Sequence, residues 1–409
     1  MKMLDRYEEV VGHLEVERLR RLAARLQGKR IVHVNSTRVG GGVAEILGWM
    51  VPLMQELGLQ ARWEVIAGHP DFYRVTKAFH NGLQGRPVTL KRTDFDLHMD
   101  VNRENAQKLN LEADIVIVHD PQPIYLPQFT PKSSVGRWIW RCHIDASRPN
   151  RAIWKHLEAA IPDYEATIFS MASFTRPLPR PMFLIPPAID PLSDKNASIA
   201  ESERLEILAQ LGIDPERPML LQVSRFDRFK DPLGVIAAYR LIKPYYPELQ
   251  LVLAGGTADD DPEGADVLEE VRDRAGDDPD LKVLLLPPDA HRTINALQRS
   301  AIVVLQKSLK EGFGLTVTEA LWKGKPVVGG ACGGIILQVH DYQTGFLVHS
   351  PAGAAYRIRY LLRYAEKRRR MGRTAHDFVR EHFLLTRNVR DYLSMFLCLD
   401  NPEGSSLIA

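Results

Sequence analysis

The residues best placed to do chemistry lie in the stretch Glu311-Gly312-Phe313-Gly314-Leu315-Thr316-Val317-Thr318-Glu319. An apolar run there gives way to a turn bracketed by glycines, and ordinary helix formers follow from Thr318 to Lys323, so a helix should start in the turn. Amides at a helix N-terminus lack intrahelical partners and carry partial positive charge, which suits Gly312 to Thr316 to a diphosphate or to sugar hydroxyls. Glycine lets such a ligand approach the backbone. Glu311 precedes the turn and Glu319 falls about one helical turn inside, so the two carboxylates could grip two regions of one extended ligand. For an isolated pair of glutamates a turn cap and a surface helix residue would be the better reading. The glycine turn between them tips the balance.

A second cluster, Val223-Ser224-Arg225-Phe226-Asp227-Arg228-Phe229-Lys230-Asp231, follows the apolar run Met219 to Val223 and so lies at the carboxyl end of a strand, where open sheets bind ligands. Arg225 and Lys230 supply two fixed positive charges in one loop, suited to the charge on a departing diphosphate; taken alone, they would read as solvent-exposed cations. A third cluster, Thr37-Arg38-Val39-Gly40-Gly41-Gly42, separates a strand at Ile31 to Asn35 from a helix at Val43 to Leu57. It resembles a phosphate cradle without the spaced glycines of a dinucleotide site, and Glu64 is the nearest acidic residue that could close such a site. His119-Asp120 and His143-Ile144-Asp145 end apolar strands and put polar groups on the same rim, as an acceptor sugar would require. Each pair could equally be satisfied structural residues, and Cys142 reads as core.

Behind these residues the chain repeats short apolar runs separated by helical or Pro-containing stretches, the mark of buried parallel strands. In the first half the runs are Ile31 to Asn35, Ile115 to Val118, Trp138 to His143, Thr167 to Ser170 and Met182 to Ile185. Pro186-Pro187 and the polar stretch Ser193 to Glu203 interrupt the rhythm. It resumes at Met219 to Val223, Leu249 to Leu253, Lys282 to Leu286, Ile302 to Leu305 and Pro326 to Val328. Residues 4 to 27 read as one amphipathic helix, and the chain is helical from about Pro351. The fold class expected is α/β, with two Rossmann-like doubly wound parallel-sheet domains. They span residues 1–190 and 191–385, and a C-terminal helix at about 386–409 packs back on the first.

With 409 residues, 45% of them apolar, the chain exceeds one core and fills two. Lys plus Arg total 53 against 51 Asp plus Glu, a net charge of +2 that offers no field for steering toward nucleic acid or an anionic membrane. The N-terminal stretch is charged every few residues, unlike a signal peptide or anchor. Cys142, Cys332 and Cys398 are far apart and suit a reducing cytosol. No metal site is expected, and the acidic stretch Asp259 to Asp261 reads as a solvated loop.

Taken together, the Glu311 to Glu319 element, Arg225 with Lys230, the Gly40 to Gly42 loop and two sheet domains resemble the retaining GT-B glycosyltransferases of family 4. Within that family the stretches HNGLQG (His80 to Gly85), VNRENA (Val101 to Ala106), HDPQP (from His119) and HIDASRPN (from His143) are similar to those of the trehalose glycosyltransferring synthases. The resemblance implies two domains facing across a cleft that closes over substrate, and α,α-trehalose formed from a nucleotide-activated glucose and free glucose. It implies that Glu311 and the amides of Gly312, Phe313 and Gly314 hold the donor hexose, and that Glu319 holds the ribose. Arg225, Lys230 and the Leu315 and Thr316 amides would meet the diphosphate, with Gly41 or Gly42 closing over it. His143 would sit near the donor sugar, and Asp120 and Asp145 toward the acceptor.

The co-substrate would be ADP-, UDP- or GDP-glucose, with no obligatory cofactor and at most a stimulation by Mg from no fixed ligand set. A cytoplasmic homodimer is expected. Competing readings are a retaining trehalose phosphorylase, a sucrose- or glucan-forming transferase of the same family, and a nucleotide-sugar sensor that has lost turnover.

Overall fold

The computed structural model describes residues 2–39, 41–256 and 262–400. Gly40, the acidic stretch Asp259 to Asp261 and the tail from Asn401 lie outside them. The chain divides into two compact units, Met1–Ala188 with Leu385–Ala409, and Ile189–Leu384. It therefore passes from the first unit to the second after Ala188 and returns after Leu384.

In the first unit, six strands form one parallel sheet in the order β2-β1-β3-β4-β5-β6. They are β1 (Arg30–Asn35), β2 (Gln60–Val65), β3 (Ala113–His119), β4 (Val135–Cys142), β5 (Ala166–Phe169) and β6 (Met182–Leu184). The second unit repeats the plan with β7 (Met219–Val223), β8 (Gln250–Gly255), β9 (Leu281–Leu285), β10 (Val303–Gln306), β11 (Val327–Gly330) and β12 (Gly345–Val348), ordered β12-β11-β10-β7-β8-β9. Central strands such as β3, β7 and β8 are runs of Val, Ile and Leu buried on both faces, which only helices above and below the sheet can cover. The expected pair of parallel α/β sheets is present.

Strand order decides where a ligand can go. The chain winds from β7 through β8 to β9 on one side, then returns so that β10 lies against the other side of β7. The first sheet does the same, with β2 on one side of β1 and β3 on the other. At such a switch point the loops leaving two adjacent strands diverge and leave a crevice at their carboxyl ends. The loops after β7 and β10 carry Arg225, Lys230 and Glu311, and those after β1 and β3 carry Gly41, Gly42 and Asp120.

Three elements differ from the sequence reading. The strand β2 and the strand β12 fall outside the expected apolar runs. β2 is an edge strand whose Gln60-Ala61-Arg62-Trp63-Glu64-Val65 is mostly half-buried, so its polar residues mask it, and β12 is only 4 residues long after a turn. The amphipathic stretch at residues 4–27 is two helices, Met3–Val11 and His13–Ala24, because Gly12 has a φ of 86° that no helix residue adopts. The helix Leu385–Asp400 packs on His13–Ala24 and Gly42–Glu56 within the first unit, where Arg390 Nη1 lies 2.8 and 2.9 Å from the two oxygens of Glu15.

Candidate active site

In the second unit, β7 and β10 bring the loop cation and the first glutamate together. Lys230 Nζ donates to both carboxylate oxygens of Glu311, at 2.8 and 2.7 Å. The carboxylate also accepts from Ser308 Oγ at 3.1 Å and Gln306 Nε2 at 3.4 Å. The Lys230 loop is itself pinned, since buried Gln222 of β7 donates from Nε2 to the Lys230 carbonyl at 2.8 Å. Next to it Asp231, with a φ of 49°, caps the helix Pro232–Ile242 through the Gly234 amide and ion-pairs with buried Lys307. Arg225 behaves differently. Its side chain is half-exposed and its sole ion pair among the described residues is with Asp227 at 4.0 Å, which leaves the guanidinium turned to solvent.

The turn after Glu311 starts the helix Leu315–Trp322, as the residue pattern requires, with Gly314 as its N-cap in a left-handed conformation at φ 84°. Among the described residues, the amides of Gly312, Phe313, Gly314, Leu315 and Thr316 donate to no backbone carbonyl. Amides at a helix start that lack a backbone acceptor are donors of the kind that suit an anion or hydroxyls. The Phe313 side chain is buried against Phe383, at 5.6 Å between ring centroids, so only its backbone is available.

A second glycine loop, after β11, sets the shape of this turn, and sequence reasoning missed it. A Cβ at Gly333 would overlap the Glu311 carbonyl, and one at Gly334 would lie 2.5 Å from Phe313 Cα and 2.7 Å from the Gly312 carbonyl oxygen. The Gly334 amide donates to that Gly312 carbonyl at 3.0 Å. The doublets Gly329-Gly330 and Gly333-Gly334 at the end of an apolar run were the available signal.

Glu319 is 1% exposed, so it is not a surface helix residue. Gln298 Nε2 donates to its Oε2 at 3.1 Å and Lys195 Nζ lies 3.5 Å from Oε1, which accepts no hydrogen bond among the described residues. Neither Gln298 nor Lys195 was singled out by spacing.

In the first unit the parallel register places side chains on one face. His33 pairs with Ile117, two residues before His119, and His119 pairs with Arg141, two residues before His143. With a side-chain period of two, His33, His119, Arg141 and His143 therefore share a face. Arg141 and His143, with Asn388 and Tyr392 of the helix Leu385–Asp400, line a recess roofed by Val43, Ile46, Leu47 and Met50. Asp120, next to His119 in the chain, is in a left-handed conformation at φ 64°, strain of the kind that gathers at functional sites. Its Oδ1 accepts from the His143 amide at 2.7 Å, and burial pushes the carboxyl up to about 6 against that bond and the nearby Arg141 charge. Asp145 instead closes a local turn, accepting from the Ser147 amide at 2.9 Å. Gly41, at φ 84°, caps the helix Gly42–Glu56 and is exposed with Gly42.

The stretches that carried the resemblance fasten these loops. Asn102 Nδ2 donates to the Gln122 carbonyl at 2.9 Å and its Oδ1 accepts from the Tyr125 amide at 3.1 Å, which holds the segment after Asp120. The Asn150 amide donates to the Gly82 carbonyl at 2.8 Å, tying the loop after β4 to the helix Pro70–Leu83. Asn105 takes both backbone groups of Ala67, donating to its carbonyl at 2.7 Å and accepting from its amide at 2.8 Å. Asn105→Ala would strand both, so a loss of roughly 2–4 kcal/mol is expected. It would appear as a lower urea midpoint at unchanged slope.

Burial also makes this unit acid-sensitive. His33 and His98 are pushed down to about 3, His156 to about 4, and His119 and His143 well below the ordinary value, in each case chiefly by burial. The unfolded chain takes up these protons near pH 6.5 and the native state does not, so stability present above 6.5 is lost as pH falls toward 3. Each of His33 and His98 then costs about 2 kcal/mol at pH 5. Asp120, raised instead of lowered, gains stability between about 6 and 4 and offsets one histidine. Urea midpoints are expected to drop steeply from pH 7 to pH 5, and a flat profile would show that these imidazoles protonate in place.

Among the described residues no His, Cys, Asp and Glu side chains gather in a group of three or more that could hold a metal, and no helix is long and apolar enough to cross a membrane. Comparison with known proteins matches the trehalose synthase N-terminal domain to residues 33–176 and the group 1 glycosyl transferases to residues 203–378. The chain is 46% identical over 400 residues to the trehalose synthase of Pyrococcus horikoshii, covering 96% of each. The chain belongs to the trehalose synthase family. It is a trehalose-related glycosyltransferase of the GT-B fold, as the family's members are. A trehalose phosphorylase from Pleurotus pulmonarius is 28% identical over 396 residues, which cover 84% of this chain and 54% of that protein. In fold, a UDP-forming α,α-trehalose-phosphate synthase from Burkholderia xenovorans superposes with a TM-score of 0.74 at 17% identity, over 91% of this chain and all of that one.

Proposed function

We propose that the protein transfers glucose from a nucleoside-diphosphate glucose to free glucose with retention of configuration, releasing α,α-trehalose and the nucleoside diphosphate in a reversible reaction. The observation that carries this reading is Lys230 Nζ on both oxygens of Glu311 beside the unpaired amides of Gly312 to Thr316. It sets a cation from the loop after β7 against a carboxylate and a row of N–H donors after β10, the groups that a sugar joined to a diphosphate requires. Glu311 and the amides of Gly312, Phe313 and Gly314 accept and donate to the hexose hydroxyls. Lys230, Arg225 and the Leu315 and Thr316 amides hold the diphosphate. The Oε1 of Glu319, ion-paired with Lys195 but accepting no hydrogen bond among the described residues, takes a ribose hydroxyl. In the first unit, His143, Asp120 and Asp145 meet sugar hydroxyls, and the amides of Gly41 and Gly42 are offered to phosphate.

The bond from the anomeric carbon to the diphosphate oxygen breaks while a bond to the acceptor oxygen forms on the same face. The acceptor proton passes to the departing phosphate. The protein then acts by positioning and by stabilising the diphosphate charge. Arg225→Ala is expected to lower turnover by more than about tenfold, or roughly 1.4 kcal/mol; near-normal turnover would remove the diphosphate role from Arg225.

The higher identity to a synthase than to a phosphorylase supports a nucleotide-sugar donor, as does the UDP-forming fold relative. Titration calorimetry with ADP-, UDP- and GDP-glucose tests it. Binding of at least one, weakened in Lys230→Ala, is expected. No binding of any, together with phosphate-dependent cleavage of trehalose to glucose 1-phosphate, would replace the synthase by a phosphorylase.

A further inference from the structure

His143 stands at the end of a line of imidazoles. His33 Nδ1 lies 3.0 Å from His119 Nε2, and His119 Nδ1 lies 3.0 Å from His143 Nε2. His33 is 0% and His119 2% exposed, while His143 is half-buried and its Nδ1 has no partner among the described residues. The charged and titratable groups around the line are Arg141 and Cys142 from β4, Asp120 after β3, and Tyr392 from the helix Leu385–Asp400. Burial, with the Arg141 charge beside His119 and His143, keeps all three rings neutral.

A neutral imidazole has one N–H. His119 uses both nitrogens, so it donates through one and accepts through the other, and the three rings have only two proton arrangements. In the first, His33 Nδ1–H donates to His119, His119 Nδ1–H donates to His143 Nε2, and His143 keeps its own proton on Nδ1. In the second every bond is reversed, His143 Nδ1 is a bare lone pair, and the last proton sits on His33 Nε2. The buried end decides between them. His33 Nε2 has no hydrogen-bond partner among the described residues. Buried N–H groups left without an acceptor are rarer in folded proteins than acceptors left without a donor. The first arrangement leaves only the lone pair, and its aligned donors polarise one another toward His143.

We propose that His33 and His119 are positioning residues that fix the tautomer of His143, so that it offers an Nδ1–H donor to a sugar oxygen. A neutral donor of fixed direction can hold a hydroxyl oxygen without taking its proton. The tautomer assignment stands on the imidazole contacts and the unpartnered, buried His33 Nε2; its use rests on the reading of His143 as a sugar contact.

Long-range proton–nitrogen correlation of histidine-labelled protein, free of ligand, tests the assignment. His33, His119 and His143 are expected to carry their protons on Nδ1, with shifts that stay constant from pH 7.5 to 5.5. His143 protonated on Nε2, or averaged between the two, would overturn the proposal whatever the reaction proves to be. A second arm uses His119→Leu, which removes the donor to His143 Nε2, and His119→Asn, whose amide can stand at the Nδ1 place and donate. The leucine variant is expected to lose about tenfold in kcat at little-changed KM for the donor, and the asparagine variant to recover most of it. Equal losses in both would reduce His119 to packing and sink its positioning role. If His143 shows the Nδ1–H tautomer but its resonances do not move on adding trehalose with nucleoside diphosphate, the sugar contact fails and the tautomer line stands.

Discussion

Lys230→Ala should lower turnover about 100-fold or more, ~2.7 kcal/mol of transition-state stabilisation. The lysine is the fixed charge nearest the Glu311 carboxylate, with Nζ at 2.7 and 2.8 Å from its oxygens, and its side chain is 18% exposed. When a diphosphate leaves, charge builds on phosphate oxygen, and a preorganised ammonium costs no reorganisation at that moment. Removal has a second consequence. Glu311, 8% exposed, would keep only Ser308 and Gln306 as donors, and the uncompensated carboxylate would repel the same diphosphate. Lys230→Arg keeps the charge and loses the geometry, so it should fall between Ala and the native residue. Circular dichroism at the assay temperature separates this from unfolding. Turnover within threefold of native in a folded Lys230→Ala protein would remove Lys230 from the chemistry.

The second large effect is expected at a residue that touches no ligand. Gly333 has a φ of 49° and its missing side chain would fall on the Glu311 carbonyl. Gly333→Ala therefore meets two costs, about 1–2 kcal/mol for a left-handed conformation and a backbone overlap that must be relieved by moving one loop. A total near 3 kcal/mol is expected, with a loss of activity of more than about tenfold because the loop that moves carries Glu311. Gly276→Ala is the control. Gly276 has a φ of 62° and a Cβ there meets nothing within 4 Å, so only the conformational cost of about 1 kcal/mol should appear, with activity unchanged. Equal effects at the two glycines would show that the Gly333 loop does not shape the turn.

Much of this was legible because it is local. A glycine-bracketed turn after an apolar run announces a helix start whatever surrounds it, and Gly312 to Thr316 form one. The buried runs of β3, β7 and β8 admit only a covered parallel sheet. What escaped depends on residues distant in sequence. β2 hides behind Gln60, Arg62 and Glu64 because an edge strand has no need to be apolar. Gly333 shapes the Glu311 turn only because β11 lies beside β10. His33 sits inside a strand as a lone polar residue, and its partner is found only once the register of β1 on β3 is known. Glu319 reads as a carboxylate that grips a ligand one helical turn inside, and its partners Lys195 and Gln298, distant in sequence, were not visible.

The pairing of Lys230 with Glu311 is of the same kind. Spacing put each at the carboxyl end of a strand, and the switch point between β7 and β10 joined them. The end of an apolar strand places Asp145 on the rim, and the local turn it closes through the Ser147 amide was not visible in the sequence.

Everything proposed for the site turns on glucose moving from a nucleoside diphosphate to free glucose. The measurement that tests it most directly is carbon NMR of the products after incubating the protein with ADP-, UDP- or GDP-glucose labelled at the anomeric carbon, with unlabelled glucose. Label is expected in one half of α,α-trehalose, in step with nucleoside diphosphate release. Label appearing only in free glucose, or only in glucose 1-phosphate once phosphate is added, would contradict it.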